Sequence, residues 1–373
     1  MRFNLTTAIV VILVIIGVLY YIDNLYKEPI LEKAGNSNLN PKKRKTYKEF
    51  VEIANLDPKA VIGIPWIKLP ELDEYMPSYL KYKEYLLTPV IDQGKCASCW
   101  SISVVHMLAD RISIYTGGNL EESLSVQKMI SCWKGHEGKA CSEGGIPELA
   151  YNYVIDNGVS LDRDYPYQQA EDVKLTVCNK STGKRVFVQS GSVRSLCRDP
   201  YAYEEGSAKY NSIIKENMMN MKKELLLNGP IVATIQVYQN LYDYDGLSVY
   251  TGSNNSEYIG GHAIVIYGFC EEGINGVEPN FDVQYWAVKN SWSLDWPQKS
   301  PASKGFFYIK MGSNVCGIES RASRALPVMT DEIKKLMVNS LDESRYTTYD
   351  DYVNDPEREN YIKSVGKIKG WLK

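Results

Sequence analysis

Two cysteines stand three residues apart, Cys96 and Cys99, in the segment DQGKCASCWS that spans Asp92–Ser101. Cysteines at this spacing serve as a redox pair, as half of a metal site, or as a structural cysteine beside a nucleophilic thiol. A redox pair of the thioredoxin type lies near an early βαβ pattern. The predicted helices and strands of this chain are segregated along the sequence instead, which argues against a redox pair.

A zinc site would need further ligands, and Cys132, His136 and Cys141 are available. Tetrahedral zinc sites usually use tighter, paired spacing than these three residues offer. The export signal described below also favours disulfides for these cysteines. The sequence therefore predicts neither a metal site nor a cofactor.

The third chemistry has a local signature. Cys96-Ala97-Ser98-Cys99-Trp100 resembles the C-G-[SA]-C-[WY] motif of the papain family of cysteine proteases, with Ala97 in place of the glycine. The downstream partners of that family match His262, in YIGGHAIVIYGF, and Asn290, in WAVKNSW. The resemblance implies that Cys99 is the nucleophile, that His262 is its acid and base, and that Asn290 orients the imidazole ring.

Two further residues match the family's catalytic machinery. Gln93, six residues before Cys99, takes the place of the residue whose side-chain N–H stabilises the oxyanion, together with the backbone N–H of the nucleophile. Trp292 takes the place of the residue that shields the His–Asn hydrogen bond from water. The resemblance thus implies hydrolysis of peptide bonds through a thioester acyl-enzyme.

Elementary chemistry agrees with this assignment. A thiol with an ordinary pKa of about 8.5 ionises more readily beside an imidazolium and at a helix N-terminus, and Cys99 begins the predicted helix Ser98–Gly117. The chain has three histidines. His106 lies about 10.5 Å from Cys99 along the helix axis, too far for a hydrogen bond to the thiol, and His136 lies in the polar loop KGHEGK. His262 is therefore the predicted partner of the thiol.

Substrate-binding positions also follow from the resemblance. The segment CSEGGIP is similar to the family's glycine pair, whose backbone binds the substrate as an added strand, and GGHAI surrounds the histidine. Trp296 is expected on the leaving-group side, where a loop is inserted after it. The implied substrate-binding residues are Gly144, Gly145, Pro147, Gly261, Ala263, Trp296 and Arg321.

Arg321 occupies the position that usually forms the floor of the S2 pocket. A guanidinium there would select an acidic side chain at P2. The alternative is that Arg321 pairs with a nearby carboxylate or points to solvent.

The chain has eight cysteines, and the resemblance implies two disulfides. Cys96 is expected to pair with Cys141, and Cys132 with Cys178. The pairing of the remaining three besides Cys99 stays undecided: Cys197, Cys270 and Cys316.

Several phrases, among them ADRISIYTG and NVCGIES, are most similar to the cathepsin B branch, and LSVQKMISC is also similar to cathepsin X. The occluding loop of cathepsin B, with its two histidines, has no counterpart in residues 146–169, which contain no histidine. We therefore expect an open cleft and endopeptidase action on protein or peptide substrates, with cystatin-like inhibitors as further partners. The alternatives are a catalytically inactive binding or structural module, and a transpeptidase or ligase that uses the same thioester.

The elements that must position these residues follow from composition and periodicity. Hydrophobic residues make up 44% of the 373-residue chain and charged residues 23%, a globular balance, and the formal net charge of −3 indicates no general affinity for nucleic acid. Helical spacing dominates the first half of residues 69–327 and strand patterns dominate the second. The strands are predicted at Pro230–Tyr238, His262–Cys270, Gln284–Trp292 and Gly305–Met311.

This order predicts an α+β fold of two lobes with the site in the cleft between them. The resemblance specifies a papain-like arrangement, with a helical left lobe and a right lobe built as an antiparallel β-barrel-like sheet.

Residues 1–27 are predicted to form a signal-anchor that spans a membrane. Their apolar run, Ala8–Ile22, follows a positive N-terminus and no small-x-small cleavage site follows it. A cleaved signal and a buried N-terminal helix are the alternatives. Either export interpretation places the body of the protein in a lumenal, extracellular or lysosome-like compartment, or in a particle envelope, where conditions are oxidising.

The remaining segments flank the predicted catalytic domain at 69–327. Residues 28–68 are predicted to be a propeptide or linker, and their PKKRK cluster is interpreted as a solvated linker or processing site rather than a nuclear localisation signal. Residues 328–373 form a C-terminal extension whose last apolar stripe fits a docked helix or a mobile tail better than a membrane-surface helix.

Overall fold

The computed structural model describes residues 64–330 except for 70–75, 77, 83, 117–122, 134–139, 169–177, 179–183, 254, 272–280 and 300–303. The predicted signal-anchor, most of the predicted propeptide or linker, His136 and nearly all of the C-terminal extension lie outside these residues. No helix within the described ranges is both long and apolar enough to cross a bilayer.

Five α-helices are described: α1 (Cys99–Tyr115), α2 (Val126–Cys132), α3 (Pro147–Asn157), α4 (Ala208–Asn228) and α5 (Gln239–Tyr242). Short 3₁₀ turns cover Glu84–Leu86, Asp162–Asp164 and Val315–Ser320. Local chemistry sets their ends. The Ser125 hydroxyl accepts a hydrogen bond from the N–H of Lys128 at the start of α2. Gly229, with φ +95°, follows the last residue of α4, where only a glycine adopts the left-handed backbone without strain.

The strands are β1 (Tyr79–Lys81), β2 (Val159–Ser160), β3 (Arg185–Val186), β4 (Arg194–Ser195), β5 (Ile231–Tyr238), β6 (Tyr258–Cys270), β7 (Tyr285–Lys289), β8 (Phe306–Lys310) and β9 (Ala322–Arg324). Six of them form the order β4-β9-β5-β6-β7-β8, β1 pairs with β6, and β2 and β3 form a separate pair. The long strand β6 pairs antiparallel with β5 through its first part and with β7 through its second. This strand therefore crosses the centre of the sheet.

Helix α1 lies between two hydrophobic cores. Every residue from Trp100 to Tyr115 is buried, as expected of a helix that is covered on all sides. One core joins α1 to α2 and α3, and the other lies around the large sheet and α4. The α+β prediction with two lobes is confirmed, and the N-terminus of α1 lies where the lobes meet.

The prediction of strands throughout the second half was incomplete, because α4 precedes β5 and is the longest described helix. Its buried residues include Tyr210, Ile213, Met221 and Leu225, at a spacing that places them on one helical face. The predicted strand 284–292 also ends early, at Lys289. Asn290 is therefore the first residue beyond the sheet, free to turn its side chain toward the neighbouring strand.

Candidate active site

Cys99 is the first residue of α1, and its thiol is free and half-buried. The N–H groups of the first helical turn are concentrated at this end, where they favour negative charge. The N–H of Ala263 also donates to the Cys99 sulfur. That contact brings the thiol against β6, next to His262.

His262 and Asn290 meet because β6 and β7 are paired, with Val265 opposite Lys289. Nε2 of His262 lies 2.7 Å from Oδ1 of Asn290, and both side chains are buried. The N–H of Ser291 donates to the same Oδ1 at 2.8 Å. Because an N–H needs an acceptor, this atom is the amide oxygen, and Nε2 of His262 is the protonated nitrogen.

Gln93 is fixed to the segment that follows Asn290. Its N–H donates to the carbonyl of Ser291 at 2.9 Å, and its Oε1 accepts from the Ser291 hydroxyl at 2.7 Å. Its Nε2 donates to the carbonyl of Cys96 at 3.1 Å. These three bonds fix Gln93 on the loop that leads into Cys99, and its Nε2 group faces the Cys96 carbonyl of that loop.

Two aromatic rings are stacked in succession over the histidine. The ring of Trp292 lies 4.8 Å from that of His262, centroid to centroid, and the ring of Tyr242 lies 4.5 Å from Trp292 and nearly parallel to it. Trp292 was predicted to shield the His–Asn hydrogen bond, and its position fits that role. Tyr242 was not predicted, since α5 is one short turn with no motif of its own.

The pKa values of the thiol and the imidazole are shifted by burial in opposite directions. Burial raises the pKa of Cys99, and the N–H groups of Ala263 and of the helix start lower it in part. Burial lowers the pKa of His262 and the hydrogen bond to Asn290 raises it in part, which leaves a pKa of about 4. Burial alone therefore favours the neutral form of both groups.

Two disulfides join Cys96 to Cys141 and Cys132 to Cys178, the pairs that the resemblance implied. A disulfide sulfur is not a thiolate ligand, so the zinc alternative through Cys132 and Cys141 fails. The redox alternative fails too, because Cys96 is bonded to Cys141 and not to Cys99. In the part of the chain that the structure describes, no three His, Cys, Asp or Glu side chains are grouped so as to hold a metal ion.

The glycine pair packs closely against the start of α1. A Cβ on Gly145 would lie 2.7 Å from the ring of Trp100, and one on Gly144, where φ is +69°, would lie 3.2 Å from the methyl group of Ala97. Ala97 thus occupies space that Gly144 leaves open. Pro147 follows as the buried first residue of α3.

The other predicted substrate positions surround the same groups. Gly261 is exposed on β6 and Ala263 is buried. Trp296 is only 7% exposed, and its Nε1 donates to the carbonyl of Tyr242. Trp296 therefore holds Tyr242 in place through this hydrogen bond. The exposed apolar side chains near it are those of Tyr242 and of Leu294, which is 53% exposed.

Arg321 is exposed at the end of the turn Val315–Ser320. Its charge acts on Glu148, whose pKa is raised by burial and lowered by its own backbone N–H and by Arg321. Glu148 follows Pro147 in the first turn of α3. A cation on the sheet lobe thus faces a carboxylate on the helical lobe.

Comparison with known proteins identifies the family of the chain. Residues 76–326 match the family model described as "Papain family cysteine protease". "Cathepsin B-like cysteine proteinase 6" of Caenorhabditis elegans is 29% identical over 261 residues, covering 66% of this chain and 64% of the relative. The "Gut-specific cysteine proteinase" of the same organism is 30% identical over 234 residues, covering 61% and 65%. The chain thus spans slightly less than two thirds of the length of these two relatives.

A third relative, "Cathepsin B-like cysteine proteinase 5" of Caenorhabditis elegans, is 31% identical over 255 residues, covering 63% of this chain and 69% of the relative. Among solved structures, procathepsin B S9 from Trypanosoma congolense aligns with a TM-score of 0.54 at 22% identity, covering 74% of this chain and 88% of that chain. Digestive procathepsin L 3 of Tenebrio molitor larval midgut aligns with a TM-score of 0.52 at 21% identity, covering 75% and 78%. At these identities the two structures show a shared papain-like fold.

Proposed function

The chain belongs to the papain family of cysteine proteases, and on that premise we propose that it is a cathepsin B-like cysteine endopeptidase. Cys99, His262 and Asn290 form its catalytic triad, and Gln93 completes the oxyanion site. The observation that supports this most is the 2.7 Å contact between His262 and Asn290 beside a free thiol at a helix N-terminus. This arrangement supplies a nucleophile, a base and a group that orients the base.

The reaction begins with attack of the Cys99 thiolate on the carbonyl carbon of the scissile bond. The backbone N–H of Cys99 and the Nε2 group of Gln93 stabilise the oxyanion that forms. The His262 imidazolium donates its proton to the leaving amine, which leaves a thioester on Cys99. Water, deprotonated by the now neutral His262, attacks the thioester and releases the acid and the thiol.

Because burial disfavours both charged forms, the thiolate and the imidazolium must stabilise each other. The fixed groups that assist are the N–H of Ala263 at the sulfur and the oxygen of Asn290 at the ring. Two ionisable groups that stabilise each other's charged form titrate as a pair. Activity should therefore follow a bell-shaped pH profile in which neither limb belongs to one residue alone.

Endopeptidase action is supported by the segment after the glycine pair. Residues 146–168 form α3, β2 and a 3₁₀ turn and contain no histidine, so they offer no pair of histidines to bind a substrate C-terminus.

The test uses the chain with residues before 69 removed and two sets of internally quenched peptides, one blocked at both ends and one blocked only at the N-terminus with a free C-terminus. We expect internal cleavage, and a rate lower by a factor of roughly 10³ or more in Cys99→Ser. Release of dipeptides or single residues only would contradict endopeptidase action. Absence of cleavage would favour the inactive module, and amine-ligated products would favour the transpeptidase.

The Arg321 guanidinium gives the S2 pocket a preference for an acidic P2 side chain, and Glu148 competes for the same charge. A charge interaction at a partly exposed site such as this one changes specificity by about two- to fivefold. Arg321→Ala should lower kcat/KM for peptides with Glu at P2 by this factor, and Glu148→Gln should raise it.

The control is Arg185→Ala, an exposed arginine on β3 that donates to the carbonyl of Asn157. The measurement is a P2 peptide library, compared among the variants. A hydrophobic P2 preference that is unchanged in Arg321→Ala would contradict the assignment.

The compartment and processing of the protein follow from the flanking segments. Residues 1–27 anchor the chain in a membrane, residues 28–68 act as propeptide or linker, and the catalytic domain functions in a lumenal, extracellular or lysosome-like compartment or in a particle envelope. The two disulfides support an oxidising location. Membrane fractionation of the full chain, with and without residues 1–27, tests the anchor: extraction by carbonate alone would contradict it.

A further inference from the structure

A small cavity of about 10 Å³ lies beside the His262–Asn290 pair, between α1 and the strands β6 and β7. Its polar lining consists of Ser103 and His106 from α1 and Lys289, Asn290 and Ser291 from the end of β7. A volume of this size holds one water molecule, and a buried water typically makes about three hydrogen bonds.

Asn290 has an unsatisfied donor at this cavity. Its Oδ1 is engaged by Nε2 of His262 and by the N–H of Ser291. Its Nδ2 has no hydrogen-bond partner among the described residues, and it is shielded from solvent because Asn290 is only 3% exposed. A buried amide N–H₂ without an acceptor is costly, so a native structure normally supplies one.

His106 supplies a free acceptor on the other side of the cavity. It is 2% exposed, and within the described residues its ring makes no side-chain hydrogen bond. A neutral imidazole has one nitrogen that accepts and one that donates. Ser103 offers a second acceptor, since its hydroxyl donates to the carbonyl of Trp100 and keeps its lone pairs.

We infer that one water molecule binds in this cavity, accepting from Nδ2 of Asn290 and donating to a neutral His106 and to Ser103. His106 is then a positioning residue: through this water it holds the amide with its oxygen toward His262. The inference rests on the proposed function for its catalytic consequence, but the water site itself does not depend on activity.

The charges around His106 keep it in the accepting form. Burial, and then the positive charge of Lys289, lower the pKa of His106 well below its ordinary value. Lys289 is held 3.0 Å from both carboxylate oxygens of Asp110, one turn beyond His106 on α1, and 2.9 Å from the Thr88 hydroxyl. A protonated His106 would donate from both nitrogens, so the water could no longer donate to the ring and would lose the bond that orients it.

The kinetic test compares three variants of the active chain. His106→Leu removes the acceptor, so kcat should fall about tenfold with KM unchanged, and the basic limb of the pH profile should move to lower pH. His106→Gln, whose amide oxygen accepts, should restore most of kcat and the profile. Met107→Leu, a buried neighbour outside the cavity lining, should behave as wild type. An unchanged kcat and pH profile in His106→Leu would overturn the inference.

A second measurement decides the matter even if His106→Leu fails to fold. In a crystal structure of the wild-type chain we expect one ordered water within hydrogen-bond distance of Asn290 Nδ2 and the His106 ring. In ¹⁵N-histidine NMR, where the chain has three histidines, His106 should stay neutral from pH 8 to 5. No water, or a His106 that titrates near 6.5, would overturn the inference. Loss of peptidase activity with the water and the neutral ring present would instead refute the proposed function.

Discussion

Removing the Asn290 side chain should shift the basic limb of the pH profile downward. Its Oδ1 accepts from Nε2 of His262 at 2.7 Å in a buried setting, and this bond raises the pKa of His262. A hydrogen bond to a charged group contributes about 1.5–3 kcal/mol, and one pKa unit corresponds to about 1.4 kcal/mol. In Asn290→Ala the imidazolium should therefore lose its proton about 1–2 pH units lower.

The assay is the pH dependence of kcat/KM for a short peptide amide blocked at its N-terminus. The basic limb reports loss of the proton from the thiolate–imidazolium pair of the free enzyme. We expect this limb to move down by about 1–2 units, with kcat/KM at the optimum reduced about ten- to a hundredfold. Asn290→Gln, which keeps the amide, should show a smaller shift.

The matched control is Asn211→Ala, an exposed asparagine near the start of α4 that donates to the carbonyl of Gly206. Its profile should match that of the wild type. A basic limb in Asn290→Ala that stays in place or moves upward would refute the argument, because it would mean that Asn290 does not stabilise the imidazolium.

Three further predictions concern the surroundings of the site. Tyr242→Ala removes the ring that covers Trp292 and should lower kcat/KM about three- to tenfold for peptides with an aromatic P1′ residue. The control is Tyr203→Ala, which removes a tyrosine that is equally exposed, at 43%, and should leave kcat/KM unchanged. Equal effects of the two substitutions would contradict a role of Tyr242 on the leaving-group side. Replacing Cys96 and Cys141 together by serine opens a 45-residue loop and should lower the free energy of unfolding by about 4 kcal/mol, measured in urea; a loss below about 1 kcal/mol would contradict this. The pKa of His106 is lowered in the folded chain, so its contribution to stability is present above pH 6.5 and is lost as the pH falls. Between pH 7 and 5 the free energy of unfolding of His106→Gln should therefore fall by up to about 2 kcal/mol less than that of the wild type. An identical fall in the two proteins would count against this prediction.

Much of the fold and of the candidate site was predictable from local sequence. The stop at Gly117–Gly118 and the apolar spacing located α1, and the Cys99 motif placed the nucleophile at its start. His262 and Asn290 stood in two apolar runs, and their pairing as neighbouring strands brought the side chains within 2.7 Å. Helix α4 had its own signals, Ser207 before it and Gly229 after it, but its many polar residues weakened the periodicity.

Other features could not be predicted because they arise from long-range packing. Nothing local to Tyr242 indicates that its ring stacks on Trp292, fifty residues later. The charge interaction of Glu148 with Arg321 depends on how the two lobes face each other. That Asn290 Nδ2 lacks a hydrogen-bond partner can be recognised only from the positions of all the surrounding groups.

The central claim is that Cys99 is the working thiol, and covalent labelling tests it most directly. Within the described residues the free cysteines are Cys99, Cys197, Cys270 and Cys316. Burial raises the pKa of Cys197 and of Cys316 to about 12, so these thiols should be inert. After removal of residues 1–68, an epoxysuccinyl probe should add once per chain, and peptide mapping by mass spectrometry should place it on Cys99, with no addition in Cys99→Ser. No addition to the wild type, or the same addition in Cys99→Ser, would contradict the account.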